Sequence, residues 1–232
     1  MNNNHLKFTV AYAIVFVLAL LASFKQLSIL SEITTPLITI VLLFFLSIST
    51  RLKGRFHQRL FTGLVFALTG NTLILMQSHN PSYFTYGLIA MVICYVFFIS
   101  AFYLDFRSAP ELDKKGARVA IICCAIGCTA FYFFLRPHLG INKLPVLGNA
   151  LIFALLVMMA SFRNERVNPK SFKLILTGVL FLTISGLLLA CHHFINQAAF
   201  PDFLMISAYM IGQYLVIYGG VERKLLRTET DI

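Results

Sequence analysis

Charge is what this chain has least of. Only 12% of its residues are Asp, Glu, Lys or Arg, against roughly 25% in an ordinary soluble domain. Such a chain cannot cover a water-facing surface, which excludes a separate soluble domain. Acids are the scarcest group, and all nine, Glu32, Asp105, Glu111, Asp113, Glu165, Asp202, Glu222, Glu229 and Asp231, lie in loops, in tails or at the ends of apolar runs. No lysine or arginine stands in the middle of such a run. Ion-coupled transporters and proton relays keep ionisable groups at membrane depth, so a small-solute transporter is disfavoured. Hydrolysis wants a base to activate water, and no obvious one is embedded here. The sequence also lacks internal repeats and low-complexity tracts.

Metal-ligand spacing is missing too. Cys94, Cys123, Cys124, Cys128 and Cys191 all fall inside apolar runs, out of register with the histidines. Cysteine so placed behaves as a small hydrophobe, and we expect no disulfide, no metal and no cofactor.

Apolar residues are present in excess. They make up 59% of the 232 residues and give a mean hydropathy of +0.82. This composition predicts an all-α, polytopic integral membrane bundle. A span takes about 20 apolar residues. Eight segments meet or approach that length, at 8–24, 34–48, 60–76, 83–104, 119–135, 145–162, 172–194 and 203–220. The second is short, which implies tilt or a locally thinned bilayer. Short linkers join the segments, so residues 1–232 read as one transmembrane domain. The opening MNNNHLK precedes an apolar run without a small-residue cleavage site, and we read a first span there rather than a signal peptide.

The net charge of +10 would suggest nucleic acid in a soluble protein. Here it reads as basic loops facing anionic lipid, with no nucleic-acid partner. Lys7, Arg51, Lys53, Arg55, Arg59, Arg107, Lys114, Lys115, Arg118, Arg163, Arg166, Lys170, Lys173, Arg223, Lys224 and Arg227 fall on one side of an eight-span topology. Lys25, Arg136 and Lys143 alone fall on the other. By the positive-inside rule both termini are cytoplasmic, and we expect a bacterial inner (cytoplasmic) membrane.

Polar residues inside the spans are then placed by depth. Asn71 follows Gly70 in the outer half of span three, and an amide in hydrocarbon needs a partner. Tyr95 lies near mid-depth in span four, and Asn149 one turn into span six, which opens with Pro145. Span seven carries Ser185 and Gly186, with His192 on nearly the same face as Ser185. Tyr209 and Gln213, spaced i,i+4, stand side by side in span eight. Asn71, Tyr95, Asn149, Ser185, Tyr209 and Gln213 therefore share one level and can share one pocket. Bland roles compete with that reading. By residue type alone Asn71 is more often interhelical glue and Ser185 more often bonds its own helix, while Tyr95 and Tyr209 serve equally as core aromatics. His192 and His193 read as interfacial, and the Gly63, Ala67, Gly70 stripe as a packing face.

Six stretches resemble, in order, the YhhN-like family of lysoplasmalogenases: TPLITIVLL, GLVFALTGNTLILM, FTYGLIAMVICYVFFISAF, LPVLGNALIFALLVMMA, GVLFLTISGLLLA and AYMIGQYLVIYG. They run from Thr35 to Gly219. The resemblance implies an eight-helix membrane fold and a lysophospholipid substrate. It implies cleavage of the vinyl-ether bond of lysoplasmalogens to a fatty aldehyde and glycerophosphoethanolamine or glycerophosphocholine. The family's catalytic carboxylates follow a glycine in span three and a serine in span seven, which are Asn71 and Gly186 here, with Ser185 kept. A family histidine falls at Tyr95, a tyrosine at Asn149 and a lysine at Thr35, while Tyr209 and Gln213 are retained. The implied substrate-binding set is thus Tyr95, Asn149, Tyr209 and Gln213. Asn71 cannot protonate a vinyl ether and Gly186 has no side chain. Two readings stay open: a hydrolase that recruits Tyr95, His192 or Asp202 as its acid, and a silent relative that binds or senses a lysolipid.

Overall fold

Hydrocarbon offers backbone amides no water, so a chain this apolar satisfies them within helices. The computed structural model describes residues 3–25, 28–80, 82–108, 114–140, 143–195 and 202–226. Eight α-helices account for nearly all of them: α1 (Asn3–Phe24), α2 (Ser28–Thr50), α3 (Arg55–Leu75), α4 (Ser82–Phe106), α5 (Lys114–Leu135), α6 (Lys143–Ser161), α7 (Pro169–Phe194) and α8 (Asp202–Val221). Helices α2 and α4 to α8 are long and apolar enough to cross a membrane. In α1 the apolar stretch is shorter, Phe8–Phe24, and α3 opens on the polar RFHQR. The protein is a polytopic helical bundle.

The second element departs from expectation. Its apolar run covers 34–48, yet α2 has 23 residues and continues back to Ser28. At 1.5 Å per residue that is about 34 Å of helix, of which Ile33–Thr50 is the apolar window. Polar Ser28, Ser31 and Glu32 hide this in the hydropathy. The helix continues through them because its backbone must stay bonded.

Packing arranges seven helices in a closed ring, α1–α2–α3–α4–α6–α7–α8, with α8 returning to α1 and α5 lying outside on α6. Leu42, Leu64, Phe98, Leu156, Leu182 and Val216 are buried within it. Two pairs approach most closely, and glycine permits both. A Cβ on Gly70 of α3 would lie 2.9 Å from the Gly87 carbonyl of α4, and one on Gly178 of α7 2.8 Å from that of Gly212 in α8. On α5, Val119, Ile122, Ile126 and Phe134 are all exposed, as lipid-facing residues are.

The first and last helices lie together. Tyr12 Oη donates to the Met210 carbonyl at 2.7 Å, and the Thr9 and Tyr214 hydroxyls meet at 2.9 Å. At the basic end the chain after α8 is strapped to the α6–α7 loop. Asn168 N donates to the Lys224 carbonyl at 3.0 Å and Leu226 N to that of Arg166 at 3.1 Å. Beneath that strap, Asp105 at the end of α4 is fully buried. It accepts from Arg163 Nε at 2.7 Å and from Arg223 Nε at 2.7 Å. Arg163 Nη2 donates to Ser171 Oγ at 3.1 Å, and Ser171 in turn to the Gly219 carbonyl at 2.7 Å. The rings of Phe56 and Phe102 lie 5.7 and 5.4 Å from the Arg163 guanidinium. Burial lowers the pKa of Arg163, and Asp105 opposes that shift. Both residues sit at the basic end the sequence assigns them. Their complete burial was not readable from a loop position.

Candidate functional site

The opposite half of the bundle is built from neutral polar groups. Close contact between α3 and α4 at Gly70 turns the next residue, Asn71, inward toward α2 and α8. Asn71 is buried, and its Nδ2 donates to Tyr209 Oη at 2.8 Å and to Thr39 Oγ1 at 3.3 Å. One turn along α8, Gln213 Nε2 donates to the same Tyr209 oxygen at 3.1 Å. A phenol oxygen that accepts from two amides still has its own proton to donate. Gln213, only 1% exposed, is left with Oε1 unbonded. Rotating its amide would pair Oε1 with the Tyr209 proton and strand Nε2 instead, so one polar atom is spare either way.

Ser185 does not bond its own helix. Its Oγ donates across to the Met205 carbonyl of α8 at 2.9 Å, tying α7 to α8 beside this network. The neighbouring glycine has a definite reason. A Cβ on Gly186 would fall 2.2 Å from Phe153 Cζ, so the ring of Phe153 fills the space a side chain would need. Phe153 packs in turn against Tyr95, ring centroids 5.0 Å apart.

Two adjoining cavities meet at these residues. The larger-walled apolar lobe, about 500 Å³, is lined by Leu88, Val92, Phe131, Val146 and Leu187, with Tyr95, Asn149, Phe153 and Gly186. The polar lobe, about 570 Å³, is lined by Ser23, Thr35, Asn71, Gln77 and His192. Ile74, Phe84, Met91, Ser185, Leu189, His193 and Tyr209 line both. Each volume lies within the range of small-molecule sites, about 300–1,000 Å³. No lysine, arginine, aspartate or glutamate lines either lobe among the described residues.

The structure thus gathers Asn71, Tyr95, Asn149, Ser185, Gly186 and Tyr209 around two adjoining lobes rather than one pocket. Gln213 lines neither and acts through Tyr209. His192 shares the polar lobe with Asn71, whereas His193 stacks on Phe84 at 4.5 Å. The side chain of Asp202 lies outside the described residues. Two contributors escape a reading by residue type. Thr39 was detectable, because it stands one turn from Thr35 on the same face of α2. Phe153 was not, because a phenylalanine in an apolar helix looks like any other.

Residues 30–220 match the profile of the YhhN family. Over 171 residues the chain is 26% identical to the human protein called lysoplasmalogenase TMEM86A, covering 72% of this chain. The chain spans 66% of that relative's length. No solved structure matches it.

Proposed function

The chain belongs to the YhhN family, and from that premise we propose that it binds a single-chain lipid of the lysoplasmalogen kind in the two-lobed cavity. The carrying observation is the shape and chemistry of that cavity. An apolar lobe adjoins, across Ser185 and Tyr209, a lobe whose polar lining is hydroxyls, amides and imidazole. A lipid with one chain and one polar head has the same division. The human relative's name supplies the class of lipid, the vinyl-ether lysolipids.

Binding without turnover is the reading the residues favour. Protonating a vinyl ether calls for a positioned acid, and general acid–base catalysis contributes about 10²–10⁴-fold. Asn71 occupies one of the two positions where the resemblance expects a carboxylate, and it serves as a donor to Tyr209. Phe153 fills the space beside the other, Gly186.

One observation favours hydrolysis as a second reading: His192 lines the same lobe as Asn71 and Tyr209. An imidazolium there would deliver its proton to the vinyl carbon one removed from the ether oxygen, leaving an oxocarbenium ion. Water would add to the resulting oxocarbenium carbon and lose a proton. The hemiacetal would then collapse to an aldehyde and the free glycerol hydroxyl.

Melting temperature of the purified protein in detergent tests the binding reading. A lysoplasmalogen or a 1-alkenylglycerol at saturating concentration should raise it, and a two-chain phospholipid should not. Leu189→Trp, which fills the junction of the lobes, should abolish the rise. No rise with either single-chain lipid, or an equal rise with the two-chain lipid, overturns it. Aldehyde release that disappears in His192→Ala would establish the second reading in its place.

A further inference from the structure

We infer that Tyr209 and Ser185 read the glycerol backbone of the lipid as a pair. The Tyr209 hydroxyl donates to the oxygen that carries the chain, and the Ser185 oxygen accepts from the free hydroxyl on the neighbouring carbon. This rests on the reading that the cavity holds a single-chain lipid, and goes beyond it by assigning two atoms of that lipid to two residues.

Place comes first. Of the described residues that line both lobes, Ser185 of α7 and Tyr209 of α8 carry hydroxyls. Ser185 is tied to the carbonyl of Met205, which stands one turn from Tyr209 on the same face of α8. A chain in one lobe and a head in the other put the atoms that join them beside this pair. In a lysolipid those atoms are an ether or ester oxygen and, one carbon on, a free hydroxyl.

Bonds already made decide which side chain gives and which takes. A carbonyl cannot donate, so the Ser185 hydrogen is spent on Met205 at 2.9 Å and its oxygen keeps lone pairs to offer. Tyr209 is the converse. Its oxygen accepts from Asn71 Nδ2 at 2.8 Å and from Gln213 Nε2 at 3.1 Å, which fills both lone pairs and leaves its hydrogen to give. A lipid oxygen at the junction favours this arrangement over the rotated Gln213 amide, which would turn the Tyr209 hydrogen away and leave that oxygen unmet. One donor beside one acceptor complements the acceptor and donor of a lysolipid. A two-chain lipid carries an ester in place of the free hydroxyl and has no hydrogen to give Ser185.

Three matched probes test the pair: 1-O-octadecylglycero-3-phosphocholine, its 2-deoxy analogue, and an analogue with a methylene in place of the ether oxygen. None has a vinyl group, so none can enter the hydrolytic route. Each is titrated against the purified full chain in detergent by displacement of a fluorescent single-chain lipid. Both analogues should bind about tenfold more weakly than the parent, as expected for one lost hydrogen bond and a partner left unpaired. Tyr209→Phe should erase the penalty on the methylene probe and keep that on the 2-deoxy probe, and Ser185→Ala should do the reverse. A merely structural loss would lower all three affinities together and leave their ratios in place. Equal binding of the three probes by the unaltered protein overturns the pair and leaves single-chain binding standing, with no variant required to fold. Ratios unmoved by both substitutions overturn it as well. Failure of every probe to displace the fluorescent lipid overturns this inference and the single-chain reading together.

Discussion

The two ends of the bundle handle polarity in opposite ways. At the basic end, Asp105 and Arg163 form an ion pair with no exposure at all, closed in by Arg223, Ser171 and aromatic rings. At the other end the groups are neutral, Asn71, Thr39, Tyr209 and Gln213, and cavities of about 500 and 570 Å³ open beside them. Charge buried in a pair serves the architecture, because each ion is committed to a partner. Neutral donors beside empty volume are the ones free to meet something else. Position of charge alone would point to the end of the molecule opposite the cavities.

That contrast can be broken most violently at Asp105. Asp105→Ala leaves two arginines facing each other without a counter-charge, and removing one partner of a buried pair costs about 3–5 kcal/mol. Thermal unfolding followed with a thiol-reactive dye should show a large fall, since Cys94 is buried in the folded state. Ligand binding by whatever folded protein remains should be unchanged if the two ends are independent. A stable Asp105→Ala variant would show that the buried ions are not what holds this end.

Next in size are changes in the neutral network. Tyr209→Phe removes the acceptor for both amides, and each buried donor left unpaired costs about 1–3 kcal/mol. Its melting temperature should fall, by less than in Asp105→Ala, and single-chain lipid binding should weaken with it. Gly186→Asp forces a side chain into the ring of Phe153, an overpacking of about 1–3 kcal/mol. Phe153→Ala in the same chain should recover stability, and recovery would confirm that the ring fills this space. Asn71→Asp added to that pair restores both carboxylates, and the appearance of aldehyde release would show the rest of the cavity to be competent. The smallest effect belongs to Lys170→Ala. Its bridge to Glu222 at 3.1 Å is largely exposed, and exposed pairs contribute little, so no measurable shift in melting temperature is expected.

Sequence and structure agree where hydropathy is the deciding force. Eight apolar runs became eight helices, which follows from the cost of placing unbonded polar groups in hydrocarbon. The depth argument gathered Asn71, Tyr95, Asn149, Ser185 and Tyr209 at one level for the same reason. What the sequence could not reveal depends on which faces meet. Ser185 bonds across to α8 rather than along its own helix, and Arg163 is drawn inward by Asp105 from 58 residues away in the chain. The exchange of a side chain at Gly186 for the ring of Phe153 is of the same kind. Composition cannot show that a glycine in α7 and a phenylalanine in α6 divide one volume between them.

Helix α5 stands apart from the ring, resting on α6, yet it supplies Phe131 to the wall of the apolar lobe. On the proposed function, a wall built partly from an outlying helix would give the lobe a seam toward the bilayer rather than toward water. A lipid entering by that seam never leaves the hydrocarbon. Its effective concentration is then its mole fraction among membrane lipids, and bulk molarity is the wrong axis for a titration. Diluting the sample with buffer would leave occupancy unchanged. Diluting the membrane with inert lipid would lower it.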